Sequence, residues 1–364
     1  VPTDAYFDYS QRSDRLSGGS RRVPIDTPAG RFEVWTKRVG NNPELALLLL
    51  HGGPGATHEY FEAADSYLPA AGIEYYYYDQ LGSGRSDRPE EASLWDLGRF
   101  VDEVEQVRRA LGLDQRNLVL LGHSWGGILA IEYALAHQDH LRGLVISNMM
   151  ASAPAYSAYA KQVLMPAMDP DVLAEILGYE QRGDTGNPRY TELLFEHYYT
   201  EHTIRMPVDR WPDPVRRGLG NINPDIYVPM QGPSEMGMSP DAALADWDRV
   251  GDLERIEVPT LVIGARHDTM EPAHMEMMAG RFPHGSYLYC PDGSHLAMYD
   301  DQERYFAGLV DFLRGLPPAS WAPAVLPGWR VEQVGAVVGD RVDAGGDRPE
   351  LPTFVGGRDQ QRGQ

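Results

Sequence analysis

The sequence predicts an α/β fold, a mostly parallel sheet flanked by helices on both faces, with a helical cap domain inserted into it. Three observations carry this. Short apolar runs closed by glycine or an acid recur in both outer thirds of the chain, as strands buried on both faces do. Segments of helical period lie between them, and strand–helix–strand order implies right-handed crossovers with parallel pairing. The middle stretch, residues 149–251, has no comparable run and is rich in Met, Pro, Tyr and Trp.

Taken in order, residues 23–39 alternate around Thr27-Pro28-Ala29-Gly30, the pattern of an antiparallel hairpin. Residues 45–50 are wholly apolar and end at His51-Gly52-Gly53-Pro54-Gly55. Residues 73–78 form a second buried strand ending at Asp79. Residues 96–111 place Leu97, Phe100, Val101, Val104, Val107 and Leu111 at helical spacing. A strand at 118–121, a helix at 125–136 and a strand at 141–147 follow. After the insert come a strand at 260–264, a helix at 272–281, a strand at 287–290 and a closing helix at 302–314. The expected division is 1–148 and 252–316 for the two parts of the core, 149–251 for the cap, and 317–364 for a Pro/Gly-rich extension. Within that extension residues 329–342 have the alternation of a marginal hairpin, and the last twenty or so look loosely ordered.

Composition narrows the function. The 364 residues carry 53 acidic against 32 basic side chains, a formal charge of −21. Nucleic-acid binders need a basic footprint, so nucleic acid is excluded as a partner, and cationic small ligands are favoured. The apolar run at 45–50 is far below the ~20 residues of a membrane helix, so no membrane span is expected. The first twenty-two residues contain no apolar stretch of signal-peptide type. Cys290 is the single cysteine, which rules out an intramolecular disulfide and suits a cytoplasmic setting.

The chemistry centres on Gly122-His123-Ser124-Trp125-Gly126. It follows a strand and opens a helix, the context in which G-x-S-x-G presents a nucleophilic serine on a sharp turn. Flanking glycines suit a turn where a Cβ would clash. The helix N-terminus behind the serine favours developing negative charge. A base and its orienting acid are expected at later strand ends, in the order acid then histidine. Asp268 follows the strand at 260–264, and His295 follows the strand at 287–290. The oxyanion donors are then the backbone N–H groups of Trp125 and Gly53. His51 and His123 are read as braces for the two loops, and Asp79 as a loop anchor bonded to backbone. Residues 75–78 read as strand, and most of Trp211, Tyr227 and Trp247 as cap core. The Trp125 ring, next to the nucleophile, is expected to touch substrate. Cys290 is expected to be buried and inert. The histidines lack zinc-ligand spacing with partners, and no metal or cofactor is called for.

His51-Gly52-Gly53-Pro54-Gly55, Asp79-Gln80-Leu81-Gly82-Ser83-Gly84-Arg85-Ser86 and Gly122-His123-Ser124-Trp125-Gly126-Gly127 together resemble the proline iminopeptidase family of α/β-hydrolase serine peptidases. The resemblance spans about residues 23–315. It implies a cofactor-free exopeptidase that releases an N-terminal residue, often proline, from small substrates with a free amine. It also implies a carboxylate in the cap for that amine, and Gln231-Gly232-Pro233-Ser234-Glu235 resembles the segment that carries it, making Glu235 the candidate. Some relatives carry a second such glutamate directly after the catalytic aspartate. This chain has Thr269 there, with Glu271 the nearest acid, a departure compatible with a broader amidase or arylamidase. A carboxylesterase or acyltransferase with the same triad is the alternative, and a non-catalytic ligand-binding homologue a more distant one.

Overall fold

A computed structural model describes residues 3–318; the extension expected at 317–364, with its hairpin at 329–342, lies almost wholly outside the described residues. Among the described residues eight strands are present: β1 (Ser20–Thr27), β2 (Gly30–Val39), β3 (Ala46–Leu50), β4 (Glu74–Asp79), β5 (Leu118–His123), β6 (Gly143–Ser147), β7 (Thr260–Ala265) and β8 (Gly285–Cys290). They form one sheet in the order β1–β2–β4–β3–β5–β6–β7–β8. The hairpin pairs antiparallel with itself and with β4, and every pairing from β4 to β8 is parallel. β3, β5, β6 and β7 are buried along their whole length, which is why their sequences run apolar instead of alternating.

β4 shows how an apparently awkward sequence is accommodated. Tyr75 and Tyr77 point to one face and Tyr76 and Tyr78 to the other, each set joining a different hydrophobic core. Four phenols cannot be buried there without partners. Tyr75 and Tyr77 donate to Asp65, Tyr76 to Glu74 at 2.8 Å, and Tyr78 to Glu103. The strand expectation for these residues is met.

Helices cover both faces. Leu97–Leu111 begins with Asp96 accepting from the Arg99 N–H at 3.1 Å and ends at Gly112 with φ 70°, a left-handed stop that suits glycine. Trp125–His137 follows β5 directly and is buried along most of its length. Between β6 and β7 the described chain holds helices and irregular segments, with one isolated bridge pairing Ser152 and Asp248. That bridge closes the base of the insert. Arg249 N–H donates to the Ala151 carbonyl and Ala153 N–H to the Trp247 carbonyl, each at 2.8 Å. The insert has a small core of its own from Leu164, Ile176, Tyr190, Leu193, Leu194, Tyr198 and Met236. Two of its helices carry π turns, Ala160–Leu164 and Phe195–Tyr199. A 3₁₀ segment unforeseen from sequence, His58–Ser66, packs beneath the insert's helix Asp213–Gly220. Among the described residues no helix is long and apolar enough to cross a membrane.

Candidate active site

The parallel strands end at one edge, and the candidate residues gather there. Ser124 sits between β5 and its helix with φ 55° and ψ −128°, a conformation L-residues avoid unless the surroundings enforce it. The enforcement is visible in the flanking glycines. A Cβ on Gly122 would lie 2.0 Å from the Gly126 carbonyl oxygen, and one on Gly126 would lie 2.0 Å from the Leu50 carbonyl oxygen. Strand, turn and helix approach too closely for any other residue.

Asp268 follows β7 and is fully buried. Its Oδ1 lies 2.8 Å from His295 Nδ1 and accepts the Met270 N–H at 3.1 Å. Its Oδ2 accepts from Asn148 Nδ2 at 2.8 Å, and the same amide reaches the Ser294 carbonyl at 3.2 Å. Asn148 follows β6 with φ 53°, a conformation asparagine tolerates better than most side chains, and this aims its amide at the acid. Burial alone would lower the His295 pKa, but Asp268, with smaller help from Glu235 and Asp300, holds it above the ordinary imidazole value. The cap takes part as well: His295 N–H donates to the His202 carbonyl at 2.9 Å and Leu296 N–H to the Thr203 carbonyl at 2.8 Å.

The glycine-rich loop after β3 closes over the serine. A Cβ on Gly52 would lie 2.9 Å from the Ser124 Cβ. Gly52 N–H donates to the Tyr60 hydroxyl at 2.5 Å, and the next N–H along the loop is that of Gly53, the donor expected from the sequence. The Trp125 N–H starts a helix and so has no carbonyl one turn behind it. The two expected donors therefore come from loops that meet at Ser124. His51 and His123 brace these loops as expected. His51 Nε2 accepts the Gln80 N–H at 3.1 Å, and burial pushes its pKa down to about 4. Asp79 bonds the His58 and Arg85 backbone N–H groups, each at 2.9 Å, and adds the His58 ring at 2.8 Å.

The Trp125 ring, expected at the substrate, is held by the protein itself. It is buried, meets Phe100 edge-on at 5.4 Å, and donates its indole N–H to Gln80 Oε1 at 2.9 Å. It thereby braces the nucleophile turn against the Gln80 loop.

In the cap, half-buried Glu235 is surrounded by phenols. Tyr227 donates to Oε1 at 2.6 Å and Tyr156 approaches Oε2 at 3.4 Å, while Tyr156 and Tyr198 also bond the Glu235 carbonyl at 2.7 and 3.1 Å. Burial, then the Glu235 charge, raises the pKa of all three phenols, so they stay neutral donors. Tyr227 thus serves this cluster, whereas Trp211 and Trp247 are core, their indoles bonded to the Met206 carbonyl and to Glu132. Thr269 Oγ1 lies 3.4 Å from both Asp268 and His295. Glu271 stands at the N-cap position of the helix Pro272–Arg281 without a side-chain capping bond and is half-buried. Burial, then the Asp268 and Glu271 charges, raise the Tyr159 pKa.

Ligand atoms of Glu105, His137 and His140 lie within 4.8 Å of one another, a grouping that sequence spacing did not reveal. It sits at the far end of the helix that starts at Trp125. Glu105 is already bonded by Arg108, Arg109 and Tyr133, and a cation there would have to displace two guanidinium groups. Cys290 is buried, and its thiol pKa is raised by burial.

Comparison with known proteins agrees with this geometry. Residues 46–302 match the family model described as alpha/beta hydrolase fold. A proline iminopeptidase from Elizabethkingia meningoseptica is 53% identical over 299 residues, covering 82% of this chain and 99% of that protein. The crystal structure of proline iminopeptidase from Mycobacterium smegmatis superposes with a TM-score of 0.69 at 30% identity, covering 81% of this chain and 97% of that one. The crystal structure of VinJ gives a TM-score of 0.75 at 30% identity, over 82% and 99%.

Proposed function

The chain belongs to the proline iminopeptidase family of α/β hydrolases, and we propose that it releases an N-terminal proline, or another small apolar residue, from peptides, amides or arylamides. It is a serine hydrolase acting on amide bonds. One observation carries the residue assignment: Tyr198 bonds the Glu235 carbonyl at 3.1 Å and packs its ring 4.9 Å from that of His202, whose own carbonyl accepts the His295 N–H at 2.9 Å. This supports reading Glu235 as an amine anchor beside the acyl-transfer centre.

In this reading Glu235 pairs with the substrate ammonium, with Glu271 as a second carboxylate on the same side. Ser124 Oγ attacks the carbonyl while His295 Nε2 takes its proton. The carbonyl π electrons move to oxygen, and the oxyanion accepts from the Gly53 and Trp125 N–H groups. Collapse breaks the C–N bond as His295 returns the proton to the leaving amine. Water then enters, gives its proton to His295 and attacks the acyl carbon. Ser124 leaves with that proton, and the free amino acid is released. Asp268 holds the Nδ1–H of His295 and balances the imidazolium charge. A cytoplasmic location belongs to the same reading, since Cys290 leaves the fold independent of disulfides.

The test compares L-prolyl-p-nitroanilide, its N-acetyl derivative and p-nitrophenyl acetate, with Ser124→Ala as control. Cleavage of the free-amine anilide in strong preference to the acetylated one, abolished in the variant, supports the proposal. Cleavage of the acetate with neither anilide touched moves the protein to the esterases.

A further inference from the structure

The loop after β3 presents consecutive N–H groups above Ser124, and one of them is engaged in an unusual way. Gly52 N–H donates to the Tyr60 hydroxyl at 2.5 Å. That hydroxyl lies 3.1 Å from His123 Nδ1, and His123 Nε2 lies 2.8 Å from the His295 carbonyl oxygen. Proton accounting sets the direction of each bond. A carbonyl only accepts, so Nε2 carries the His123 proton. Burial, then the neighbouring His295, pushes the His123 pKa well below its usual value, so the ring is neutral and Nδ1 is a bare acceptor. Burial also pushes the Tyr60 phenol up, so it keeps the proton it donates. The chain runs from Gly52 N–H to Tyr60, from Tyr60 O–H to His123, and from His123 Nε2–H to His295.

We propose that Tyr60 is a positioning residue, tying the oxyanion loop to the loop of the base so that Gly53 N–H and His295 hold one register against Ser124. The proposal rests on the acyl-transfer reading given above. Packing alone does not account for a tyrosine here. The ring lies 5.2 Å from the His123 ring and 4.6 Å from Phe61, in surroundings that phenylalanine would fill equally well. The cap seats the ring from the other side, since a Cβ on Gly218 would lie 3.2 Å from Tyr60 Cδ1. What the hydroxyl adds is the link between β3, β5 and β8. The link runs through Gly52 itself, where an added Cβ would be 3.3 Å from the same hydroxyl.

Tyr60→Phe keeps the ring and removes the link. On L-prolyl-p-nitroanilide the expected result is a kcat lower by about 10- to 100-fold with KM within about 2-fold, the range for a disturbed oxyanion donor. Prolinal, whose aldehyde carbon Ser124 adds to as a hemiacetal with its oxygen at the two N–H groups, should lose affinity by a similar factor. Proline, which makes no tetrahedral adduct, should bind as before. Phe61→Leu is the packing control: it should lower Tm and leave the ratio of prolinal to proline affinity intact. Wild-type kcat in Tyr60→Phe would overturn the proposal, as would an equal loss of prolinal and proline binding. An equal fall of the affinity ratio in Phe61→Leu would also overturn it. Should the wild type cleave only p-nitrophenyl acetate, the aminopeptidase reading fails separately. The kcat comparison then moves to that ester, because the link serves acyl transfer of either kind.

Discussion

At the sheet edge Ser124 is held by the shape of the main chain, whereas in the cap Glu235 is held by side chains arriving from three separate places. The serine turn permits no other backbone: Gly122 and Gly126 would place a Cβ 2.0 Å from a carbonyl oxygen on either side. Around Glu235 the donors are Tyr156 from the helix Ala153–Tyr159, Tyr198 from the π turn Phe195–Tyr199 and Tyr227 from the helix Pro224–Met230. Strain enforced by close packing is all-or-none, while a cluster of hydroxyls loses its hold one bond at a time. In the proposed reading, chemistry and specificity are therefore stored in different physical forms. Changes at the edge should be abrupt and blind to substrate, and changes in the cap graded and selective for the amine.

The sharpest test lies at the edge. Asp268→Asn should lower kcat by about 10⁴-fold, because the amide cannot hold His295 in the tautomer that accepts the Ser124 proton. The pH dependence gives a second reading. His295 must be neutral to act as base, and Asp268 holds its pKa above the ordinary imidazole value against the opposing effect of burial. The acid limb of kcat/KM in the wild type should therefore lie above about 6.5, activity falling as the pH drops through it. Without the Asp268 charge only the weaker Glu235 and Asp300 charges oppose burial, and the limb of the residual activity should move to lower pH. Loss within tenfold, or an unmoved limb, would show that another group supports the base.

Glu235→Gln should be smaller and selective. Removing the charge that pairs with the substrate ammonium should lower kcat/KM for L-prolyl-p-nitroanilide by about 100-fold, mostly through KM, as loss of a charged hydrogen bond does. Hydrolysis of p-nitrophenyl acetate, which has no amine, should change by less than about 3-fold. Equal losses on both substrates would erase the distinction between the two regions.

The same distinction explains what could be read from the sequence. β3, β5, β6 and β7 declared themselves as apolar runs because they are buried on both faces; Ser124 follows β5 directly, while Asp268 follows β7 and His295 the partly exposed β8 across short loops. The main-chain half of the site was therefore visible in local pattern. Tyr60 was not, because the 3₁₀ segment His58–Ser66 has no helical or alternating period to mark it. Asn148 follows a strand like many other asparagines, and only its φ of 53° reveals that its amide is aimed at Asp268. The bond that holds the Trp125 ring to Gln80 was equally hidden, because adjacency in sequence does not say what the next side chain packs against. Tyr156, Tyr198 and Tyr227 share no local motif; packing of the cap is what brings them to one residue, Glu235.

The smallest expected effect tests whether those tyrosines hold the carboxylate or compete for it. The Tyr227 hydroxyl donates to Glu235 Oε1 at 2.6 Å, and burial together with the Glu235 charge keeps that phenol protonated. If the bond positions Oε1 for the amine, Tyr227→Phe leaves the carboxylate to the more distant Tyr156 hydroxyl at 3.4 Å and to its own side-chain rotation. KM for the free-amine anilide should then rise by about 3- to 10-fold with kcat unchanged, the cost of ordering one side chain and losing one hydrogen bond. A competing phenol predicts the opposite sign, because its removal frees a lone pair for the substrate and KM falls. The ester should be indifferent in either case, since Tyr227 reaches the chemistry only through Glu235. A fall in kcat on the ester would mean that the cap cluster also supports the sheet edge, and the two regions would have to be treated as one.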